Sequence, residues 1–117
     1  MNLFANIAVA IVAFIHIYFF VLEMFLWDKP LGLRTFGLTK EFAAASKVLA
    51  ANQGLYNGFL AVGLLWGLYN GEVRTQIFFL GCIMVAGIFG AITANRRILW
   101  VQATPALISL VLICFAK

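Results

Sequence analysis

The sequence predicts an all-α membrane protein, built as a four-transmembrane-helix bundle with an amphipathic interfacial helix between the first and second spans. Of its 117 residues, 65% are hydrophobic and 10% are charged, and the mean hydropathy is +1.06. A soluble domain of this size is rarely so apolar. The apolar residues also form four runs that can cross a hydrocarbon core of about 30 Å as helices. Four such spans use most of the chain, so we expect residues 1–117 to form a single integral membrane domain.

The four predicted spans are long apolar runs with few charged residues, and turn or interface residues separate them. The first ends at Trp27 and Pro30, since tryptophan is typical of the membrane interface and proline of a helix stop. The spans cover approximately residues 3–26, 53–70, 76–95 and 98–116.

A long connection, residues 28–52, joins the first two spans. Its first part, Gly32 to Gly37, is predicted to be a turn region, and residues 40–51 are predicted to form the interfacial helix. In that helix the charged residues lie off an apolar stripe with helical spacing. The stripe comprises Phe42, Ala45, Val48 and Leu49.

The distribution of Lys and Arg predicts the orientation in a cell membrane. Six of these residues lie in the first and third loops, and two lie in the second loop and at the C-terminus. Because cytoplasmic loops carry the excess of positive charge, the first and third loops are predicted to be cytoplasmic and both termini outside. The basic residues form no dense stripe, so we expect the lipid bilayer as partner and no nucleic acid.

Small residues recur four apart along the predicted spans, as in the pairs Gly54/Gly58 and Gly63/Gly67. This spacing lets helices approach closely, which predicts internal packing, with a homo-oligomer as the alternative. Cys82 lies in an apolar run without the neighbouring ligands of a metal site. We therefore expect no metal and no cofactor.

Two ionisable residues lie within the first span. An ionised side chain in a bilayer core costs roughly 2.5 to 3.5 kcal/mol or more, so His16 and Glu23 each require an explanation. Seven residues separate them, which places them within about 20° on one helix face and about 10 Å apart along the axis. This separation suits two groups that line one cavity.

At the predicted depth of Glu23, the ends of the other three spans are unusually polar, and Thr93 is accompanied there by Asn95. Polar groups from separate segments that meet at one depth favour a ligand-binding pocket. The alternative is structural, since amides and hydroxyls often join membrane helices by hydrogen bonds. The candidate pocket residues are His16, Glu23, Gln53, Asn57, Thr93 and Gln102.

Four strings carry a resemblance to a known family. They are residues 52–59 (NQGLYNGF), residues 23–27 (EMFLW), and residues 86–91 (AGIFGA) followed by residues 102–106 (QATPA). With them, nearly the whole chain resembles a family of small bacterial and fungal membrane proteins known only as a domain of unknown function. The resemblance implies a four-helix membrane fold and no particular activity.

Three functions remain open on these residues. The first is an intramembrane polar pocket that binds or transports a small amphipathic molecule or lipid. The second is a structural or assembly role for the polar groups and the small-residue seams. The third is a membrane-embedded enzyme that acts on a lipophilic substrate through proton transfer by His16 and Glu23.

Overall fold

The computed structural model describes residues 2–94 and 96–115, and in these ranges it is helical with no strand. The all-α prediction is therefore confirmed. Asn95 and Ala116, which end the predicted third and fourth spans, lie outside the described residues. The elements in chain order are α1 (Leu3–Phe25), α2 (Pro30–Phe36), α3 (Lys40–Asn70), α4 (Val73–Thr93), a π-helical turn (Leu99–Ala103) and α5 (Thr104–Cys114).

Three of these helices, α1, α3 and α4, are long and apolar enough to cross a membrane. They indicate a membrane-associated protein. The last apolar helix, Leu99–Cys114, is shorter, and at 1.5 Å per residue it measures about 24 Å. The predicted fourth span is thus shorter in the structure than the hydrocarbon core of about 30 Å.

The region from Gly32 to Gly37, predicted to be a turn, is largely the short helix α2. Pro30 occupies its beginning, where the missing proline N–H would have had no partner within the helix. Gly37 ends the helix with φ 65°, a left-handed conformation that glycine adopts without strain. Gly32 is buried against the end of α1, where a Cβ would lie 2.0 Å from the carbonyl oxygen of Leu26.

Residues 40–51 and 53–70 lie on one continuous helix, α3, instead of a separate interfacial helix followed by a span. The junction carries no proline, and the alanine-rich segment before it favours helix. At 31 residues, α3 is about 46 Å long, which exceeds the hydrocarbon thickness of about 30 Å.

The chain divides into two compact units, and the divisions fall inside α1 and α3. We call His16–Phe59 the polar unit, and we call the described residues of Met1–Ile15 and Leu60–Lys117 the apolar unit. The single-domain prediction stays a prediction.

The apolar unit has a core to which α1, α3, α4 and α5 all contribute. It combines small and branched side chains, and α1 supplies alanine and valine. Such residues let helix backbones pack closely. The buried members are Ala5, Val9, Val12, Ala13, Leu64, Leu80, Ile83, Ala106 and Ile113.

Glycines of the apolar unit bring its helices into contact. A Cβ at Gly63 would lie 2.4 Å from the ring of Phe79, and one at Gly67 would lie 2.9 Å from Cγ of Gln76. Gln76 is itself fully buried, and its Nε2 donates a hydrogen bond to the carbonyl oxygen of Gly67 at 3.1 Å. The small-residue spacing thus serves internal packing within this unit, and the oligomer alternative stays untested.

The tightest backbone approach to α4 occurs at Gly87. A Cβ there would lie 2.9 Å from Cβ and 3.0 Å from the backbone N of Ala103, in the π-helical turn. Gly81, on the same helix, would meet nothing within 4 Å. The two glycines form a matched pair for substitution.

We expect Gly87→Ala to lower the free energy of unfolding by about 1–3 kcal/mol, because the added methyl group meets backbone that cannot rotate away. Gly81→Ala should leave it unchanged or slightly higher, since alanine is the better helix former. Unfolding in mixed detergent micelles, followed by circular dichroism, measures both. Equal stabilities of the two variants would contradict the close packing of Gly87.

Candidate functional site

The centre of the polar unit is the carboxylate of Glu23, close to the C-terminal end of α1. Its side chain is only 4% exposed. Gln53 donates a hydrogen bond from Nε2 to Oε2 of Glu23 at 2.8 Å, and Asn57 donates from Nδ2 to Oε1. Each carboxylate oxygen therefore accepts a hydrogen bond from a neutral amide on α3.

Gly54 explains how α1 and α3 come close enough for these bonds. A Cβ at Gly54 would lie 3.0 Å from Cβ of Glu23, 3.0 Å from the backbone N of Met24 and 3.2 Å from the carbonyl oxygen of Phe20. Gln53 and Asn57 flank this glycine and are four residues apart, so they project from neighbouring turns of α3. The missing side chain at position 54 thus lets both amides reach one carboxylate.

The two amides differ in exposure. Asn57 is 8% exposed and belongs to the buried interior, whereas Gln53 is an exposed side chain. The cluster of Glu23, Gln53 and Asn57, which we call the carboxylate–amide cluster, therefore extends from the interior to the protein surface.

His16 is fully buried two turns before Glu23 on α1. Its ring packs edge-on against Phe19, with centroids 5.9 Å apart and an interplanar angle of 81°. The carboxylate of Glu23 accepts hydrogen bonds from Gln53 and Asn57 of α3. The two ionisable groups of α1 lie seven residues apart in the same unit.

Thr93 and Gln102 belong to the apolar unit, so their membership in the pocket stays a prediction. The hydroxyl of Thr93 donates to the carbonyl oxygen of Phe89 at 2.7 Å, a bond within its own helix that is common for threonine. Gln102 is half-buried in the π-helical turn. In the described ranges, no group of three His, Cys, Asp or Glu side chains is arranged to hold a metal ion.

A second polar contact region lies where α1 turns into α2. Nε1 of Trp27 donates to Oγ of Ser46 at 3.0 Å, and Nζ of Lys47 lies 3.1 Å from Oδ2 of Asp28. The hydrogen bond from Lys47 holds the pKa of Asp28 below its ordinary value of 3.8. Sequence reasoning assigned Trp27 only to an aromatic belt, and its partner lies 19 residues away on another helix.

Two large apolar side chains of α3 lie on its exposed face within the polar unit. Val48 and Leu49 are 75% and 73% exposed, while Ala43 and Ala50 are buried. The buried face of α3 between Ala43 and Gly54 thus consists of small residues. The apolar stripe recognised in the sequence is the outward face.

These features define a small, all-helical, membrane-associated protein with a buried carboxylate that two amides hold. The chain belongs to the family described as Protein of unknown function (DUF1304), whose model matches residues 10–114. This confirms the resemblance to a family known only as a domain of unknown function. The matched region includes the whole carboxylate–amide cluster.

One similar protein is the uncharacterized protein YpaA of Lactococcus lactis subsp. lactis (strain IL1403). It is 29% identical over 115 residues, an alignment that covers 95% of this chain and 97% of the relative. No solved structure matches the chain. The comparisons therefore establish the family, and the function has to be argued from the site.

Because Asn57 is buried and Gln53 is exposed, removing each amide should lower the free energy of unfolding by a different amount. We expect Asn57→Leu to lower the free energy of unfolding by about 1–3 kcal/mol, because it leaves one buried carboxylate oxygen without a donor. Gln53→Leu removes the donor to Oε2 at the exposed edge of the cluster, where a water molecule can replace it, and should cost less than about 1 kcal/mol. Unfolding in mixed micelles compares the two, and an equal or larger loss for Gln53→Leu would contradict the structure.

Proposed function

We propose that the carboxylate–amide cluster is a binding site for a small amphipathic molecule, lipids included, and that the protein binds or transports it. The observation that carries this proposal is the buried carboxylate of Glu23, hydrogen-bonded by Gln53 and Asn57 in a chain of membrane-length apolar helices. A carboxylate in such surroundings is costly to keep. An apolar contact of similar volume would join two helices as well or better.

The residues beside the cluster suit an apolar ligand tail. Tyr56 is 64% exposed and Phe59 55% exposed, and their rings lie 5.9 Å apart in a T-shaped arrangement. Gln53, also exposed, lies three residues before Tyr56 on α3. A polar head at Glu23 and an apolar tail along these rings match the usual pattern of ligand sites, with few polar groups and mainly apolar walls.

A structural role is the second candidate, and one observation favours it. Both oxygens of Glu23 already accept hydrogen bonds from α3, so the cluster can serve as a connection between α1 and α3. In that case no ligand is needed to satisfy the carboxylate. The two candidates differ in whether a molecule other than bulk lipid accompanies the protein.

Native mass spectrometry of the detergent-purified protein distinguishes the two candidates. We expect a discrete adduct on the wild type that is lost in Glu23→Gln and reduced in Gln53→Leu, because these substitutions remove the charge or one amide. Glu41→Gln, which removes an exposed carboxylate in the first turn of α3, is the matched control and should keep the adduct. A bare wild type, with the two site variants merely less stable, would favour the structural role.

The proposed membrane arrangement has four crossings, with Leu99–Cys114 as the last, and the first and third loops in the cytoplasm. The Lys and Arg distribution supports this orientation. A short last helix is compatible with it, because a bilayer can thin locally around a short span.

Cysteine labelling in intact cells tests the arrangement. In a background with Cys82→Ala and Cys114→Ala, an impermeant maleimide should label Arg74→Cys without permeabilisation. It should label Arg34→Cys and Arg96→Cys only after permeabilisation, since both lie in predicted cytoplasmic loops. External labelling of Arg96→Cys would contradict the orientation, and failure to label a cysteine added after residue 117 from outside would contradict the fourth crossing.

A further inference from the structure

Toward another molecule, the carboxylate–amide cluster offers mainly hydrogen-bond acceptors. The amide groups of Gln53 and Asn57 both donate their NH₂ groups to Glu23. Each NH₂ group keeps a second N–H, and the carbonyl oxygen of each amide offers two acceptor lone pairs, so acceptors outnumber donors. The carboxylate contributes further acceptor positions, since its two oxygens provide about four lone-pair sites and the amides use two of them.

The cluster also combines a carboxylate with neutral hydrogen-bond donors. Gln53 and Asn57, which donate to Glu23, are neutral amides, and Lys47 pairs with Asp28, outside the cluster. A buried carboxylate is stabilised most by a cation that also donates hydrogen bonds to it. Gln53 and Asn57 supply hydrogen bonds to Glu23 but no positive charge.

We infer that the ligand of the carboxylate–amide cluster is an alkylammonium compound, a protonated amine on an apolar tail. This inference rests on the proposed binding function and names its ligand class. An ammonium group has three N–H donors and no acceptor. It therefore matches the free lone pairs of Glu23 together with the carbonyl oxygens of Gln53 and Asn57, and it supplies the positive charge.

The alkyl tail has an apolar surface available. Tyr56 and Phe59 lie on the same stretch of α3 as the two amides, and both rings are largely exposed. Phe20, opposite Gly58, adds a third ring, since a Cβ at Gly58 would lie 3.1 Å from it. Aromatic rings also attract ammonium groups through their faces, which favours a cationic amphipath over a neutral one.

Three compounds with the same chain length test the inference: octylamine, 1-octanol and octanoate, which are cationic, neutral and anionic at neutral pH. The protein is kept in an uncharged maltoside detergent, and its thermal unfolding is followed at increasing concentrations of each compound. We expect saturable stabilisation by octylamine alone, because a ligand that binds the folded state raises its melting temperature. Equal stabilisation of the wild type by octanol or octanoate would overturn the inference.

Variants test whether Glu23 is the residue that binds the ammonium group of octylamine. The apparent affinity for octylamine should fall about tenfold or more in Glu23→Gln, the size expected for losing a charged hydrogen-bond partner. Glu23→Asp keeps the charge and should retain most of the response, and Glu41→Gln should match the wild type. An undiminished octylamine response in Glu23→Gln would overturn the inference.

Circular dichroism and size-exclusion chromatography establish that the variants are folded. If Glu23→Gln does not fold, the selectivity of the wild type among the three compounds tests the alkylammonium inference on its own. A Glu23-dependent adduct in native mass spectrometry that proves neutral or anionic would overturn the alkylammonium assignment and leave the proposed binding function standing. Absence of any adduct, together with no saturable response to the three compounds, would overturn both.

Discussion

The contact between α1 and α3 at Gly54 is the constraint on which the polar unit depends. Without a side chain at this position, the backbone of α3 lies against Phe20, Glu23 and Met24. Only at this separation can Gln53 and Asn57, from two successive turns, both reach one carboxylate. A larger residue would separate the helices and leave Glu23 buried without its donors, which is among the costliest arrangements in an apolar environment.

Much of the fold follows from the sequence, because apolar runs and turn residues have a direct physical meaning. Sequence reasoning placed Glu23, Gln53 and Asn57 at one depth, and the structure joins them by hydrogen bonds. Residues four apart lie on one face of a helix, so both amides of α3 can face the same carboxylate. The continuity of α3 was missed for a physical reason. The polarity of the side chains changes along α3, but such a change does not interrupt the backbone hydrogen bonds of a helix. The junction also carries no proline that would interrupt them.

The contacts that sequence reasoning could not find are those between distant segments. Nothing local to Trp27 indicates that its indole N–H meets Ser46, and nothing local to Gly54 indicates which helix it faces. The small residues predicted that helices approach closely, but not which helix packs against which. For Thr93 and Gln102 the sequence offers only a similar predicted depth, and their membership in the pocket stays a prediction.

The π-helical turn at Leu99–Ala103 bears on how the chain tolerates changes in length. Both the backbone N–H and the hydroxyl of Thr104 bond to the carbonyl oxygen of Leu99, five residues earlier, and Pro105 follows without an N–H of its own. Such a wide turn accommodates one extra residue while the helix continues. A single-residue deletion there would convert it to a regular α-helical path and would keep Ala106, Ser109 and Ile113 facing inward.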